Sequence, residues 1–329
     1  MQPGGDPDLS YVEAATDGIV EQLRGGELVV IESTCPPGTA RAMAERMTAR
    51  RPDLSWSQDS GDERPVVDFA HCPERVLPGR AMVELVENSR IVGGLTPRAA
   101  QRATNLYSTV CRGEIRTTTA ETAELAKLAE NAFRDVNIAF ANELSLISRQ
   151  LDVDVWELIE LANLHPRVNV LQPGPGVGGH CIAVDPWFIV SAAPEVSPLI
   201  RTAREVNDRK PHVVRELIDE AVERTGATRV ACLGLAFKPD IDDVRGSPAL
   251  QIVRTLVAER PELELHVAEP NLDALPADLV RDNVLHREVE EAIADSDVVA
   301  LLVDHTRFRA VDRELLEGKA VIDTRGVWR

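Results

Sequence analysis

Short apolar runs alternate with amphipathic stretches at both ends of the chain. "ELVVIEST" (27–34) is an aliphatic run closed by polar residues, the pattern of a buried parallel strand. "PPGTARAMAERMTARR" follows it with apolar residues at helical spacing. Further strand-like runs are "VVDFAHC", "RIVGG" and "EIRTTT", with the helix "PRAAQRATNLYSTV" between the last two. This alternation predicts an α/β unit with a parallel sheet. From Thr119 to about Leu164 the pattern turns helical, with apolar residues every three to four positions through "AETAELAKLAENAFRDVNIAFANELSLISRQL" and "DVDVWELIELANL". A third long helix is predicted over about 197–225, and a glycine-rich stretch separates it from the second. From Thr228 the alternation resumes. "RVACLGL", "ELHVAE", "DVVALLVD" and "KAVIDTR" are strands, and "SPALQIVRTLVAER" is a helix with Ser247 as N-cap and Pro248 at its first position. The fold class is therefore α/β. An incomplete N-terminal Rossmann-like domain (1–113) is followed by a helical middle (114–210) and a complete, doubly wound C-terminal domain (211–329).

Composition narrows the function. The 329 residues carry a net charge of −18, which argues against nucleic acid or an anionic membrane as partner. No apolar run approaches the ~18–20 residues needed to span a bilayer. The start, "MQPGGDPDLSYVEAATDG", is polar and acidic, unlike a signal peptide. Five scattered cysteines (Cys35, Cys72, Cys111, Cys181, Cys232) fit a reducing cytoplasm, not a disulfide framework. The pairs His71–Cys72 and His180–Cys181 lack C-x-x-C spacing, so no metal site is expected. Only four lysines occur: Lys127, Lys210, Lys238 and Lys319. A chain so biased to arginine keeps some lysines where a compact charge is needed.

"QPGPGVGGHCIAVDPW" (172–187) poses the chemical question. Gly174, Gly176 and Gly179 satisfy G-x-G-x-x-G, but a dinucleotide fingerprint follows a strand and opens a crossover helix. Pro186 comes too soon for that helix. The glycines are better read as permitting close backbone approach to something bulky. Cys181, with Asp185 four residues on, is either an activated nucleophile or a small buried apolar side chain.

"IESTCPPGT", "CPERVLPGR", "AELAKLAENAFRDVNIAFANELS", "HPRVNVLQPGPGVGGHCIAVDPWFI" and "LGLAFKPDIDDVRGSPAL" occur in that order. Together they resemble the nucleotide-sugar 6-dehydrogenase family over essentially the whole chain. "PERVLPG" and "GPGVGGHCIAVDPWF" match its UDP-N-acetyl-D-mannosamine branch; Pro78 and His180 depart from the UDP-glucose pattern. The resemblance implies NAD-dependent oxidation of a sugar C6 hydroxyl to a carboxylate. It implies that Cys181 forms a thiohemiacetal and then a thioester. Lys127 and Asn131, one helical turn apart, face the C6 oxygen. Asp185 and Thr34 handle the water or act as base, and Glu74 is an acid/base in hydrolysis. Arg75, Val76, Arg134, His165, Arg167, Gly178, Phe237, Lys238 and Arg325 bind the UDP-sugar, Lys238 at the diphosphate. Thr34, Glu74 and Arg245 contact NAD. The implied substrate is a UDP-N-acetylhexosamine, in the manno epimer, and the implied assembly a homodimer.

In the family a strand, a G-x-G-x-x-G turn, a helix and a ribose-binding acid precede "PDLSYVEAA". The expectation is that the NAD-binding half is incomplete and that the chain alone binds NAD hardly at all and lacks dehydrogenase activity. The alternatives to a dehydrogenase are an inactive UDP-sugar-binding fragment and an NAD-independent thiol hydrolase or transferase. A further alternative is specificity for UDP-N-acetylglucosamine or UDP-glucose.

Overall fold

A computed structural model describes residues 7–57, 62–76 and 80–329. Pro78 lies outside the described residues. The elements run α1 (Ser10–Val20), β1 (Leu28–Ile31), α2 (Thr39–Arg50), β2 (Asp68–His71), α3 (Ala81–Glu87), β3 (Arg90–Gly94), α4 (Pro97–Tyr107), β4 (Ile115–Thr119), α5 (Ala120–Leu151), α6 (Val155–Asn163), α7 (Asp185–Ala192) and α8 (Pro198–Thr225). They continue with β5 (Arg229–Leu233), α9 (Pro248–Glu259), β6 (Glu264–Ala268), β7 (Val284–His286), α10 (Val289–Ala294), β8 (Val298–Leu301), α11 (Thr306–Arg309) and β9 (Ala320–Asp323). Two compact units result: Met1–Ala132 with Val184–Ile200, and Phe133–Ala183 with Arg201–Arg329.

The first unit holds a sheet of order β1-β2-β3-β4. One face packs on α1 and α2 through Val20, Met43, Met47 and Phe69, and the other buries Ala70, Cys72 and Val92 with Ala103 of α4. The expected all-parallel sheet needs one correction. β1 and β2 are parallel, as are β3 and β4, but β2 and β3 are antiparallel. A parallel neighbour requires a crossover helix lying on the sheet. α3 buries no residue, so it does not serve as one, and the chain instead returns beside β2.

The second unit carries a five-stranded parallel sheet of order β7-β6-β5-β8-β9. From β5 the chain winds outward to β6 and β7, then crosses back to β8 and β9. The switch point therefore lies between β5 and β8, where such sheets open a crevice at their carboxyl ends. α8 and α9 cover one face with Val214, Ile218, Ile252 and Leu256, and Ile293 and Phe308 cover the other. Ser247 caps α9 as expected, its hydroxyl accepting from the Leu250 N–H at 3.2 Å with Pro248 in the first turn. Across the described residues, no helix is long and apolar enough to cross a membrane.

Candidate active site

In the first unit, α5 presents Glu124, Lys127 and Asn131 at spacings of three and four, hence on one face. Asn131 is buried, and its amide donates to the Asp185 carboxylate at 2.5 Å. Asp185 opens α7, with Pro186 next in the first turn, and is itself buried. Burial pushes its carboxyl above the ordinary value, and the Asn131 hydrogen bond and the Lys127 charge oppose that shift. So three of the sequence-derived residues, Lys127, Asn131 and Asp185, do come together. α7 was not foreseen: its glycine- and proline-rich approach masks a helix of eight residues.

Thr34 and Glu74 follow β1 and β2, adjacent parallel strands, at their carboxyl ends. The Glu74 N–H donates to the Glu32 carbonyl at 3.3 Å, which ties the two loops together. The Glu74 carboxylate turns onto its own loop, accepting from the N–H groups of Arg75 and Val76 at 2.6 and 2.9 Å. Arg75 pairs with Glu130 at 2.6 Å and donates to the Ser89 carbonyl.

Glu124 was missed from the sequence. Its carboxylate, buried inside the unit, accepts from Gly38 and Ala40 at 2.5 and 2.8 Å and so caps the start of α2. The ligand atoms of Cys35, His71 and Glu124 lie within 4.8 Å of one another. Both Glu124 oxygens are committed to α2, and burial pushes the Cys35 thiol up to about 12. The only hint of Glu124 in the sequence is the 124–127–131 spacing.

In the second unit the glycine loop runs without regular structure from 168 to 180, with no strand before it. Its glycines meet bulky neighbours. A Cβ on Gly178 would fall 2.6 Å from both the Gly246 carbonyl oxygen and Pro248 Cδ, and 3.1 Å from Phe237 Cβ. Gly179, at φ +85°, lies against the Phe237 ring, where a Cβ would sit 2.9 Å from it. The loop carries His180 and Cys181 exposed, whereas the other four cysteines are buried.

Around the switch point, Ala236, Phe237, Lys238, Val303, Asp304 and Arg325 line a small open cleft of about 40 Å³. Arg325 is held by Asp304 at 2.8 Å, and the Lys238 side chain is exposed. Arg245 is exposed and makes a two-point pair with Asp243 at 2.9 and 2.7 Å, which draws that carboxyl down to about 2. His165 and Arg167 are neighbours just beyond α6, both exposed, with the Arg167 N–H on His165 Nδ1 at 3.3 Å. Arg134 is exposed on α5. Phe237, Gly178, Arg325 and Lys238 therefore gather at one place, with Arg245 next to the Gly246 that meets Gly178.

Two buried networks support these loops. In the first, Arg204 donates to Asp135 at 2.6 Å, and Asn207 donates to the same carboxylate at 2.8 Å. Asn142 donates to Asn207 Oδ1 at 2.9 Å and accepts from the Gly174 N–H at 2.9 Å. This chain of bonds fixes both amide orientations and links α5 and α8 to the start of the glycine loop. In the second, Glu269 and His305 are fully buried, with His305 Nε2 on Glu269 Oε2 at 3.1 Å. Burial pushes the Glu269 carboxyl up, but the hydrogen bonds from His305 and Leu235 outweigh it and hold the group below its ordinary value.

Known proteins share this organisation. Residues 1–111 match the NAD binding domain of the UDP-glucose/GDP-mannose dehydrogenase family, 121–209 its central domain, and 231–329 its UDP binding domain. The chain is 55% identical over 322 residues to an NDP-N-acetyl-D-galactosaminuronic acid dehydrogenase of Ralstonia nicotianae, spanning 98% of this chain and 75% of that protein. It is 50% identical over 332 residues to the UDP-N-acetyl-D-mannosamine dehydrogenase of Escherichia coli K12, spanning 98% of this chain and 78% of that protein. The solved UDP-D-ManNAc dehydrogenase of Pyrococcus horikoshii matches with a TM-score of 0.85 at 40% identity, over 99% of this chain and 75% of that one.

Proposed function

The chain belongs to the UDP-glucose/GDP-mannose dehydrogenase family and is an NAD-dependent nucleotide-sugar dehydrogenase, and from that premise we propose that it oxidises C6 of a UDP-N-acetylhexosamine, in the manno epimer, to the uronate. The buried Asn131–Asp185 pair beside Lys127 carries this reading. The ends of β1 and β2, with Thr34 and Glu74, suit NAD because a cofactor sits at the carboxyl ends of parallel strands. When bound, NAD⁺ supplies the hydride acceptor for both oxidations.

The chain's own groups do the rest. Asp185, its proton affinity raised, takes the hydroxyl proton as a base. Lys127 and Asn131 hold the negative charge that develops on the C6 oxygen. The Cys181 sulfur adds to the aldehyde carbon, and the thiol proton passes to the aldehyde oxygen to give a thiohemiacetal. Its oxidation leaves a thioester. Water, activated by Asp185 with Thr34 and Glu74, attacks that carbonyl, releasing the carboxylate and restoring the thiol. Lys238, Phe237, Gly178 and Arg325 receive the UDP moiety, joined by Arg75, Val76, Arg134, His165 and Arg167, and Arg245 reaches the cofactor. The domain limits 1–113, 114–210 and 211–329 follow this division of labour. The same reading takes the protein as a cytoplasmic homodimer.

His180 supports an N-acetylhexosamine over glucose. The relative at 55% identity favours a second reading, the galacto epimer. Assays with UDP-N-acetylmannosamine, UDP-N-acetylgalactosamine and UDP-glucose decide among them. In an intact form of the enzyme the expected result is fastest turnover of the manno compound, with two NADH per uronate, and no carboxylate from Cys181→Ala. Faster oxidation of UDP-glucose, or undiminished NADH over two turnovers in Cys181→Ala, overturns the reading.

A further inference from the structure

The segment from Leu235 to Asp240 carries Phe237 and Lys238 and is tied at both ends to one buried pair. At its start, the Glu269 carboxylate accepts from the N–H groups of Leu235 and Ala236 at 2.7 and 3.1 Å. The other Glu269 oxygen accepts from the Asn271 N–H at 3.1 Å. At the end of the segment, the Asp240 N–H donates to His305 Nδ1 at 2.9 Å. That bond makes Nδ1 an acceptor, so the proton sits on Nε2, which donates to Glu269. Asp240 adopts a left-handed backbone (φ 59°), and its carboxylate accepts from the Thr306 N–H and hydroxyl at 2.9 and 2.6 Å. The two N–H groups follow β5, the central strand of the sheet, at its carboxyl end. Here Glu269 takes them, and the exposed ammonium of Lys238 is left as the cation of this turn.

We infer that Glu269 and His305 are positioning residues that hold the Phe237–Lys238 segment in place for the diphosphate of the nucleotide sugar. The inference rests on the reading above, in which Lys238 meets that diphosphate. Neither residue touches the ligand. They order the segment before binding, so that its ordering does not have to be driven by the ligand. Sequence spacing hides the arrangement, since Glu269 follows β6 directly, His305 stands just before α11, and the two lie 36 residues apart.

The test is calorimetry of the whole chain with UDP alone, combined with thermal unfolding and steady-state kinetics. Glu269→Gln removes the charge. His305→Asn keeps an acceptor near Nδ1, and His305→Gln keeps a donor near Nε2. Each is expected to weaken UDP at least tenfold, and to raise KM for the UDP-sugar while kcat and KM for NAD⁺ stay within twofold. His266→Asn is the structural control. His266 is equally buried on β6 and bonded to Glu264 and Ser296, away from the segment. It should lower the unfolding temperature and leave UDP affinity within twofold. UDP affinity within twofold of the unaltered chain in any folded Glu269 or His305 variant overturns the inference. So does a loss in His266→Asn matching theirs, since the effect then reports stability alone. No UDP binding by the unaltered chain overturns the underlying assignment of Lys238 instead.

Discussion

Asp185 shows what a single buried carboxyl costs and supplies. Its folded-state proton affinity lies above the ordinary value because burial penalises the charge more than Asn131 and Lys127 relieve it. In the pH range just above the ordinary aspartate value, the folded chain keeps a proton that the unfolded chain has lost. Stability therefore falls as pH rises through that window, and the full cost is present at neutral pH. Asp185→Asn should remove this slope and stabilise the fold at pH 7, while lowering turnover by about 10²-fold or more. Urea unfolding at acid and neutral pH, with matched NADH assays, checks both halves. At this scale the sequence was informative where chemistry sits in a compact motif: Lys127, Asn131, Cys181 and Asp185 stand in recognisable strings. It was silent on Glu124, Glu269 and His305, whose meaning lies in partners 34 to 86 residues away.

Elements long enough to show a period were legible. α2, α4, α5, α8 and α9 lie where the apolar spacing places them, and so do β1 to β6, β8 and β9. β7, with three residues, and α10, with six, are too short for a pattern to register. α1 buries only Thr16 and Val20, too little apolar signal in an acidic stretch. The direction of β3 could not be read from alternation, because it depends on whether α3 packs on the sheet. Packing of α5 and α8 yields a further expectation. Arg204 and Asp135 are almost fully enclosed, so removing one partner strands the other charge. Arg204→Met should destabilise by about 3–5 kcal/mol. Pairing it with Asp135→Leu should recover part of that loss, as denaturant midpoints will report.

Across the whole molecule, the acidic balance and the two strand-rich ends are legible in the sequence. The networks that join remote segments are not. α5 leaves Phe133, Phe140 and Ile147 exposed at seven-residue intervals, with Leu151 one turn further on. Large apolar side chains repeating on one face seek cover, and a second copy of this chain offers the same stripe. Phe133→Glu with Phe140→Glu should convert a dimer to a monomer in sedimentation velocity. A monomeric unaltered chain would refute the homodimer.

The distribution of sulfur has a practical consequence. Burial lifts the thiols of Cys35 and Cys232 to about 12 and that of Cys72 upward as well, and Cys111 is enclosed, while Cys181 faces solvent. The native chain thus carries one addressable handle for alkylation. Iodoacetamide should add a single carbamidomethyl group to the folded protein, while the denatured chain offers all five thiols. Intact mass then counts folded chains, and a fluorophore placed there would report from the glycine loop with no cysteine first engineered away.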